Sequence, residues 1–196
     1  MGFKLKLTLH ESYNKGWNKV MSKKMLDRIS NGHKLQDKYG KEFYEEAKEI
    51  LEHPVVLQMK QFNHHSQTSC YQHCVHVSYY CYRIAKILGW DAKALMKGGL
   101  LHDLFLYDWH DYTPGENERL HGFEHPNKAL FNAHKYFKLT RKEGDIIVKH
   151  MFPLTLTLPS YKESYVIIMV DKFVSSCEVL DRFFKTKKRI LNQKAR

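Results

Sequence analysis

The 196-residue sequence contains no long hydrophobic run and few cysteines. No apolar stretch approaches the roughly 20 residues that a membrane-spanning helix needs, and no signal-peptide pattern opens the chain. We therefore expect a cytoplasmic protein without membrane attachment. The four cysteines include no CxxC pair, which is poor spacing for a disulfide framework or a zinc site, and we expect reduced core residues. They are Cys70, Cys74, Cys81 and Cys177.

Acidic residues are fewer than basic residues: the chain has 21 Asp and Glu and 32 Lys and Arg, which gives a formal net charge of +11. Such a charge attracts anions, whether nucleotides, nucleic acid or anionic lipid. The basic residues are dense only near the two ends, and residues 183–196 are most simply a solvated basic helix end. Charge alone selects no partner, and nucleic-acid binding stays an alternative that is not favoured.

Strand patterns are also scarce, because apolar and polar residues alternate only over residues 3–9. The sequence predicts one all-α domain over 1–196, a compact helical bundle to which the N-terminus adds at most one short strand. Residues 1–60 form a helical extension with predicted helices over 17–29 and 38–52. Helical spacing turns three apolar side chains of the second helix inward: Phe43, Ala47 and Ile50.

Three capping boxes mark predicted helix starts at Ser69–Gln72, Thr140–Glu143 and Ser160–Glu163. In each, the first and fourth side chains satisfy each other's backbone amides. Gly89 is expected to stop the first of these helices and Asp91 to cap the next one. The predicted inward stripes are His73, Val77, Tyr80, Ile84 and Ile87; then Leu95, Gly99, His102 and Leu106; and, last, Val166, Val170, Phe173, Cys177, Leu180 and Phe184.

The segment "LLHDLFLYDW" places His102 and Asp103 inside an apolar run. Burial of such groups is costly unless they are paired or bind a metal. For one histidine among the thirteen of this chain, a hydrogen-bonded core residue is the simpler interpretation. Six imidazoles and carboxylates on successive predicted helices, however, favour a divalent metal site. They are His73, His102, Asp103, His125, His150 and Asp171, where His125 and Pro126 are predicted to begin a helix.

The order H…HD…H…H…D on separate helices resembles the HD-domain metal-dependent phosphohydrolases over about residues 64–182. The resemblance implies Asp103 bridging two divalent metals, which Fe, Mn, Mg, Ni and Zn all fit. One ion would be held by His73, His102 and Asp171, and the other by His125 and His150. His121, four residues before His125, is an alternative ligand, and a one-metal site is the minimal version of the pattern.

The resemblance implies hydrolysis of phosphate esters or anhydrides by a metal-activated water, with Asp103 as the catalytic residue. A nucleotide or another small phosphorylated metabolite is the expected substrate class. Two departures leave the substrate open: Leu106 stands where many dinuclear relatives carry a phosphate-binding lysine, and the GYP signature of the cyclic-dinucleotide branch is absent. Lys172 is a candidate phosphate contact, although such a lysine also commonly extends to solvent.

Two other functions remain open at this point. A related cage of histidines and aspartates supports oxygen-dependent cleavage at a diiron centre. A non-catalytic basic module that binds nucleic acid around a structural metal is the second alternative. His64 and His65 precede the capped helix and are expected to be loop residues near the pocket, whereas His76 lies off the inward stripe.

Overall fold

Seven α-helices dominate the part of the chain described by the computed structural model, which covers residues 38–64, 68–116 and 118–194. The all-α prediction is confirmed there, and the one β-bridge found in these ranges joins Asn63 to Ser69. The predicted strand at 3–9 and helix at 17–29 lie outside the described residues. The helices are α1 (Lys38–Leu51), α2 (Pro54–Gln58), α3 (Cys70–Leu88), α4 (Ala92–Leu101), α5 (His121–Tyr136), α6 (Arg141–Lys149) and α7 (Lys162–Lys194), with a 3-10 turn at Met59–Gln61.

The local signals around α3 and α4 act as the sequence predicts. The Ser69 hydroxyl accepts the backbone N–H of Gln72, and the Gln72 side chain accepts the N–H of Ser69. Gly89 ends α3 with φ of 66°, in the left-handed region that favours glycine. Asp91 accepts the N–H of Ala94 at 3.0 Å and caps α4. Thr140 and Glu143 form the predicted box that opens α6.

Helix α3 lies at the centre of the fold, in contact with α1, α4 and α7. One apolar cluster joins α3 and α4 to α1 and α2, and a second joins α3 and α4 to α6 and α7. All four cysteines are buried and free, which confirms them as reduced core residues. None of the described helices combines the length and apolar composition that crossing a bilayer requires.

Helices α3 and α4 come very close at Gly99. A Cβ at this position would lie 2.7 Å from Ser78 Cα, a backbone atom that cannot rotate away. The Ser78 hydroxyl also donates to the Met96 carbonyl at 2.6 Å, so both helices are fixed at this level. The contact sets the distance between His73 on α3 and His102 at the end of α4.

Gly99→Ala is therefore expected to lower the free energy of unfolding by about 1–3 kcal/mol, because overpacking outweighs the better helix propensity of alanine. Chemical denaturation of the metal-free protein measures this change. Gly115→Ala is the control, since its new Cβ would meet only Glu118 atoms at 3.7 Å or more. Equal stability of the two variants would contradict the close approach.

Two predicted apolar stripes are wrong in part. Ile87 at the end of α3 is 67% exposed, because α3 buries a broad face around Cys81 and Ala85 instead of a narrow line. On α7, Phe173 and Leu180 are about half exposed. The buried line of α7 is shifted by one residue because this helix packs on both α3 and α6. It runs through Ile167, Val170, Val174 and Cys177.

Three predicted helix boundaries also differ. Helix α5 begins at His121, with Pro126 inside it, because Glu124 in its first turn accepts the backbone N–H and the Nε–H of Arg119. Helix α7 begins at Lys162 without the predicted box, because the Ser160 N–H donates to Asp145 and the Glu163 carboxylate binds Lys142 on α6. Leu106 lies beyond the end of α4, in a left-handed conformation with φ of 61°.

Candidate metal centre

Five helices bring the six predicted ligands to one buried point. His73 lies in the first turn of α3, and His125 lies in the second turn of α5. His102 and His150 are the residues at which α4 and α6 end. All six predicted ligands are at most 8% exposed: His73, His102, Asp103, His125, His150 and Asp171.

The rings of His102, His125 and His150 share one hydrogen-bonding pattern. In each, Nδ1 faces a backbone carbonyl three or four residues earlier, at or near a helix end. Because a carbonyl only accepts, each Nδ1 carries a proton, and in the neutral ring Nε2 directs a lone pair at the centre. The Nδ1–O distances are 2.8 Å from His102 to Gly99, 3.0 Å from His125 to His121 and 2.7 Å from His150 to Ile147.

Three of the predicted ligands form what we call the Asp171 side of the centre. Asp171 Oδ1 lies 3.1 Å from His73 Nε2 and 3.8 Å from His102 Nε2. The ligand atoms of these three residues lie within 4.8 Å of one another. Asp103 Oδ2 is 3.5 Å from His102 Nε2 and so reaches the same group. This is a suitable set for one divalent ion.

The opposite His150 side consists of His125 and His150. Their Nε2 atoms are 2.9 Å apart, and Asp103 Oδ1 lies 3.4 Å from His125 Nε2 and 3.5 Å from His150 Nε2. With both Nδ1 atoms protonated, neutral rings would face each other with two lone pairs. A cation between them and Asp103 resolves this arrangement, which fits a second metal ion.

Two buried atoms of the centre support the same fit. Asp103 Oδ1 and His102 Nε2 have no hydrogen-bond partner within the described part of the chain. Leaving buried polar atoms unsatisfied is costly, and a bound cation would satisfy both. Asp103 also offers its two oxygens to different sides, so its position matches the predicted bridge.

In the metal-free centre, the histidine pKa values shift in opposite directions on the two sides. Burial alone would lower the pKa of His73 and of His102. The carboxylates of Glu178 and Asp171 instead raise the pKa of His73 well above its usual value. Asp103 does the same for the pKa of His102. Burial, together with the charge of His102, lowers the pKa of His150 to about 3. The pKa of Asp103 is held well below its usual range, because the charge of His102 and a hydrogen bond from His64 outweigh burial.

His64 contacts residues of the centre directly, whereas the sequence predicted only a loop residue near the pocket. Its Nε2 lies 3.1 Å from Asp103 Oδ2, and its ring stacks on His73 with centroids 3.6 Å apart. The Trp109 indole N–H donates to the His64 carbonyl at 3.2 Å and holds this loop in place. His65 lies outside the described residues.

Sequence reasoning missed Glu178 altogether. Its carboxylate lies 3.3 Å from His73 Nδ1 and 3.5 Å from His64 Nδ1. The spacing of seven residues from Asp171 puts both carboxylates on one face of α7, and this spacing was the available signal. His76, predicted to lie off the inward stripe, is 3.8 Å from Glu178 and therefore lies at the edge of the centre.

The remaining candidates surround the centre. His121 stacks on His125 with centroids 4.6 Å apart and contacts the Tyr107 hydroxyl, so the geometry favours His125 as the ligand. Burial lowers the pKa of His121 to about 4. Lys172 is exposed on α7, and its ammonium donates to the His150 carbonyl at 3.3 Å.

Comparison with known proteins identifies the class. The family model of the HD domain matches residues 70–175, more than half of the chain. The chain therefore belongs to the HD-domain family, whose members bind divalent metals and are generally metal-dependent phosphohydrolases. No curated protein and no solved structure gives a match.

Proposed function

We propose that this protein is a dinuclear phosphohydrolase that acts on a small phosphorylated molecule. The observation that carries the proposal is the close approach of His125 Nε2 and His150 Nε2, which lie 2.9 Å apart and both face Asp103. A centre with one ion on the Asp171 side would leave this pair uncompensated. A second cation accounts for it.

Each residue then has a defined role. His73, His102 and Asp171 would hold one ion, while His125 and His150 would hold the other, with Asp103 between them. Two divalent ions, when bound, lower the pKa of a coordinated water and offset charge on a phosphoryl group. Asp103 would fix the separation between the two sides.

The shape and charge of the site favour a small anionic substrate. The side chains of Asp103, His125 and Asp171 are only 5–11% exposed, so a protruding phosphoryl group fits better than the internal phosphate of a long nucleic acid. The net charge of +11 attracts anions. Lys172, next to Asp171 and exposed, would meet substrate phosphate, and a nucleotide is the leading substrate class.

A phosphate-release screen tests the proposal. The protein, loaded in turn with Mn²⁺, Mg²⁺, Fe²⁺, Ni²⁺ or Zn²⁺, is incubated with nucleotides, dinucleotides and sugar phosphates. We expect metal-dependent hydrolysis of at least one class, unchanged in Asp111→Asn, an exposed control outside the centre. Oxygen consumption by the iron form without phosphate release would replace the proposal by a diiron oxygenase. Salt-sensitive nucleic-acid binding without turnover would replace it by a binding module.

The metal count is a separate prediction. The purified protein should bind close to two divalent ions per chain, and His150→Ala should bind about one, because it removes half of the ring pair. Elemental analysis with protein quantification measures both values. His134→Ala, an exposed histidine on α5, is the control and should keep two ions. A wild-type value that never exceeds one, unchanged in His150→Ala, would contradict the dinuclear centre.

A further inference from the structure

Two residues of the centre lie outside the segment that matches the HD domain. His64 precedes residue 70 and Glu178 follows residue 175. Both contact His73, the predicted ligand on the central helix α3. The surroundings of His73 therefore include two residues that the match to the HD domain does not cover.

His73 also differs from the three other predicted ligand histidines in what its Nδ1 meets. In those three histidines, Nδ1 donates to a backbone carbonyl three or four residues earlier in the same helix. The corresponding carbonyl for His73, that of Ser69, accepts the backbone N–H of His73 at 3.0 Å. The Nδ1 of His73 instead lies 3.3 Å from a carboxylate oxygen of Glu178, two turns beyond Asp171 on α7.

The ring of His73 is thus held at two points. Glu178 meets its Nδ1 edge, and the His64 ring lies almost parallel to it, with an interplanar angle of 16°. His64 is itself fixed, because its backbone N–H donates to Thr68 and its carbonyl accepts the indole N–H of Trp109. Free rotation of the His73 ring would break both contacts.

We propose that Glu178 is a positioning residue that, with His64, holds His73 in the Nδ1–H form with Nε2 directed at the Asp171 side. This inference rests on the proposed metal centre but not on its catalytic activity. A carboxylate that accepts the outer N–H of a ligand histidine fixes its tautomer and raises its basicity. Loss of such a partner commonly weakens metal binding by about 10–100-fold.

The test uses the full chain and two substitutions. Glu178→Ala is expected to weaken Zn²⁺ binding by about 10–100-fold in competition with a chelator. Glu178→Gln keeps an oxygen that accepts from Nδ1–H, and we expect it to restore most of that affinity. Histidine ¹⁵N NMR of the Zn²⁺-loaded protein should show His73 protonated at Nδ1 in the wild type and in Glu178→Gln. The Nδ1 proton of Glu178→Ala should exchange faster with solvent.

Glu163→Gln is the matched control, because it changes a buried carboxylate on α7 that binds Lys142 away from the centre. It should change stability without changing Zn²⁺ affinity or the His73 signals. Wild-type affinity in Glu178→Ala would overturn the proposal. So would an Nε2–H form of His73 in the wild type, a measurement that does not depend on any variant folding. Absence of phosphate release by the wild type would overturn the proposed function but leave this inference standing.

Discussion

Asp103→Ala is expected to abolish metal-dependent phosphate release while the helical circular dichroism stays close to that of the wild type. Asp103 is the residue whose two oxygens face both sides of the centre, so its loss removes a ligand from each proposed ion at once. It lies beyond the end of α4 and does not form part of the helix itself. The secondary structure is therefore expected to survive the substitution.

Thermal unfolding with and without metal gives the second readout for this variant. Binding to the folded state alone stabilises by about 2.7 kcal/mol when the free ligand is at 100 times its Kd. We expect most of this metal-induced rise in Tm to disappear in Asp103→Ala and to persist in the loop control Asp111→Asn. Wild-type metal content together with wild-type turnover in Asp103→Ala would show that the buried pair His102–Asp103 is structural.

Metal binding is expected to release protons from the Asp171 side. Despite burial, the acidic neighbours of His73 and His102 raise the pKa of both rings in the metal-free centre, which favours their protonated form, and a ring must lose a proton before its Nε2 can bind a metal ion. The apparent affinity of this side should therefore rise with pH until the rings are neutral. On the His150 side the pKa of His150 is about 3, and no proton needs to leave.

Isothermal titration calorimetry in buffers of different ionisation enthalpy counts these protons directly. His150→Ala, which keeps only the Asp171 side, should release more protons per bound ion than the wild type. His134→Ala should match the wild type, because its ring is exposed and remote from the ligands. Binding without proton release at neutral pH would mean that His73 and His102 are already neutral in the metal-free protein.

The parts of this fold encoded in local sequence were predictable. The boxes at Ser69 and Thr140, the cap at Asp91 and the stop at Gly89 depend on hydrogen bonds within one turn, and all four are confirmed. The start of α5 was not predictable in the same way. It depends on Glu124 binding Arg119, whereas the proline at 126 pointed to a later start.

Helix faces were less predictable because tertiary packing sets them. The predicted inward stripe of α7 ran through Phe173 and allowed for packing on one face only. Helix α7 packs on both α3 and α6, so Val174 is buried in place of Phe173. The convergence of the six predicted ligands was predictable, because their order and spacing along the sequence form the H…HD…H…H…D pattern. His64 and Glu178 belong to no such pattern, and only the three-dimensional contacts with His73 reveal them.

The distribution of ligands over five helices also constrains when the centre can exist during synthesis. His73 and Asp171 meet although 98 positions separate them along the chain. A nascent chain that ends before α7 has the first five ligands and lacks the last one. The proposed centre could therefore be completed only after the final helix has docked, and closing so long a loop carries an entropic cost that the bound ion would help to offset. Metal capture would then mark the completion of folding.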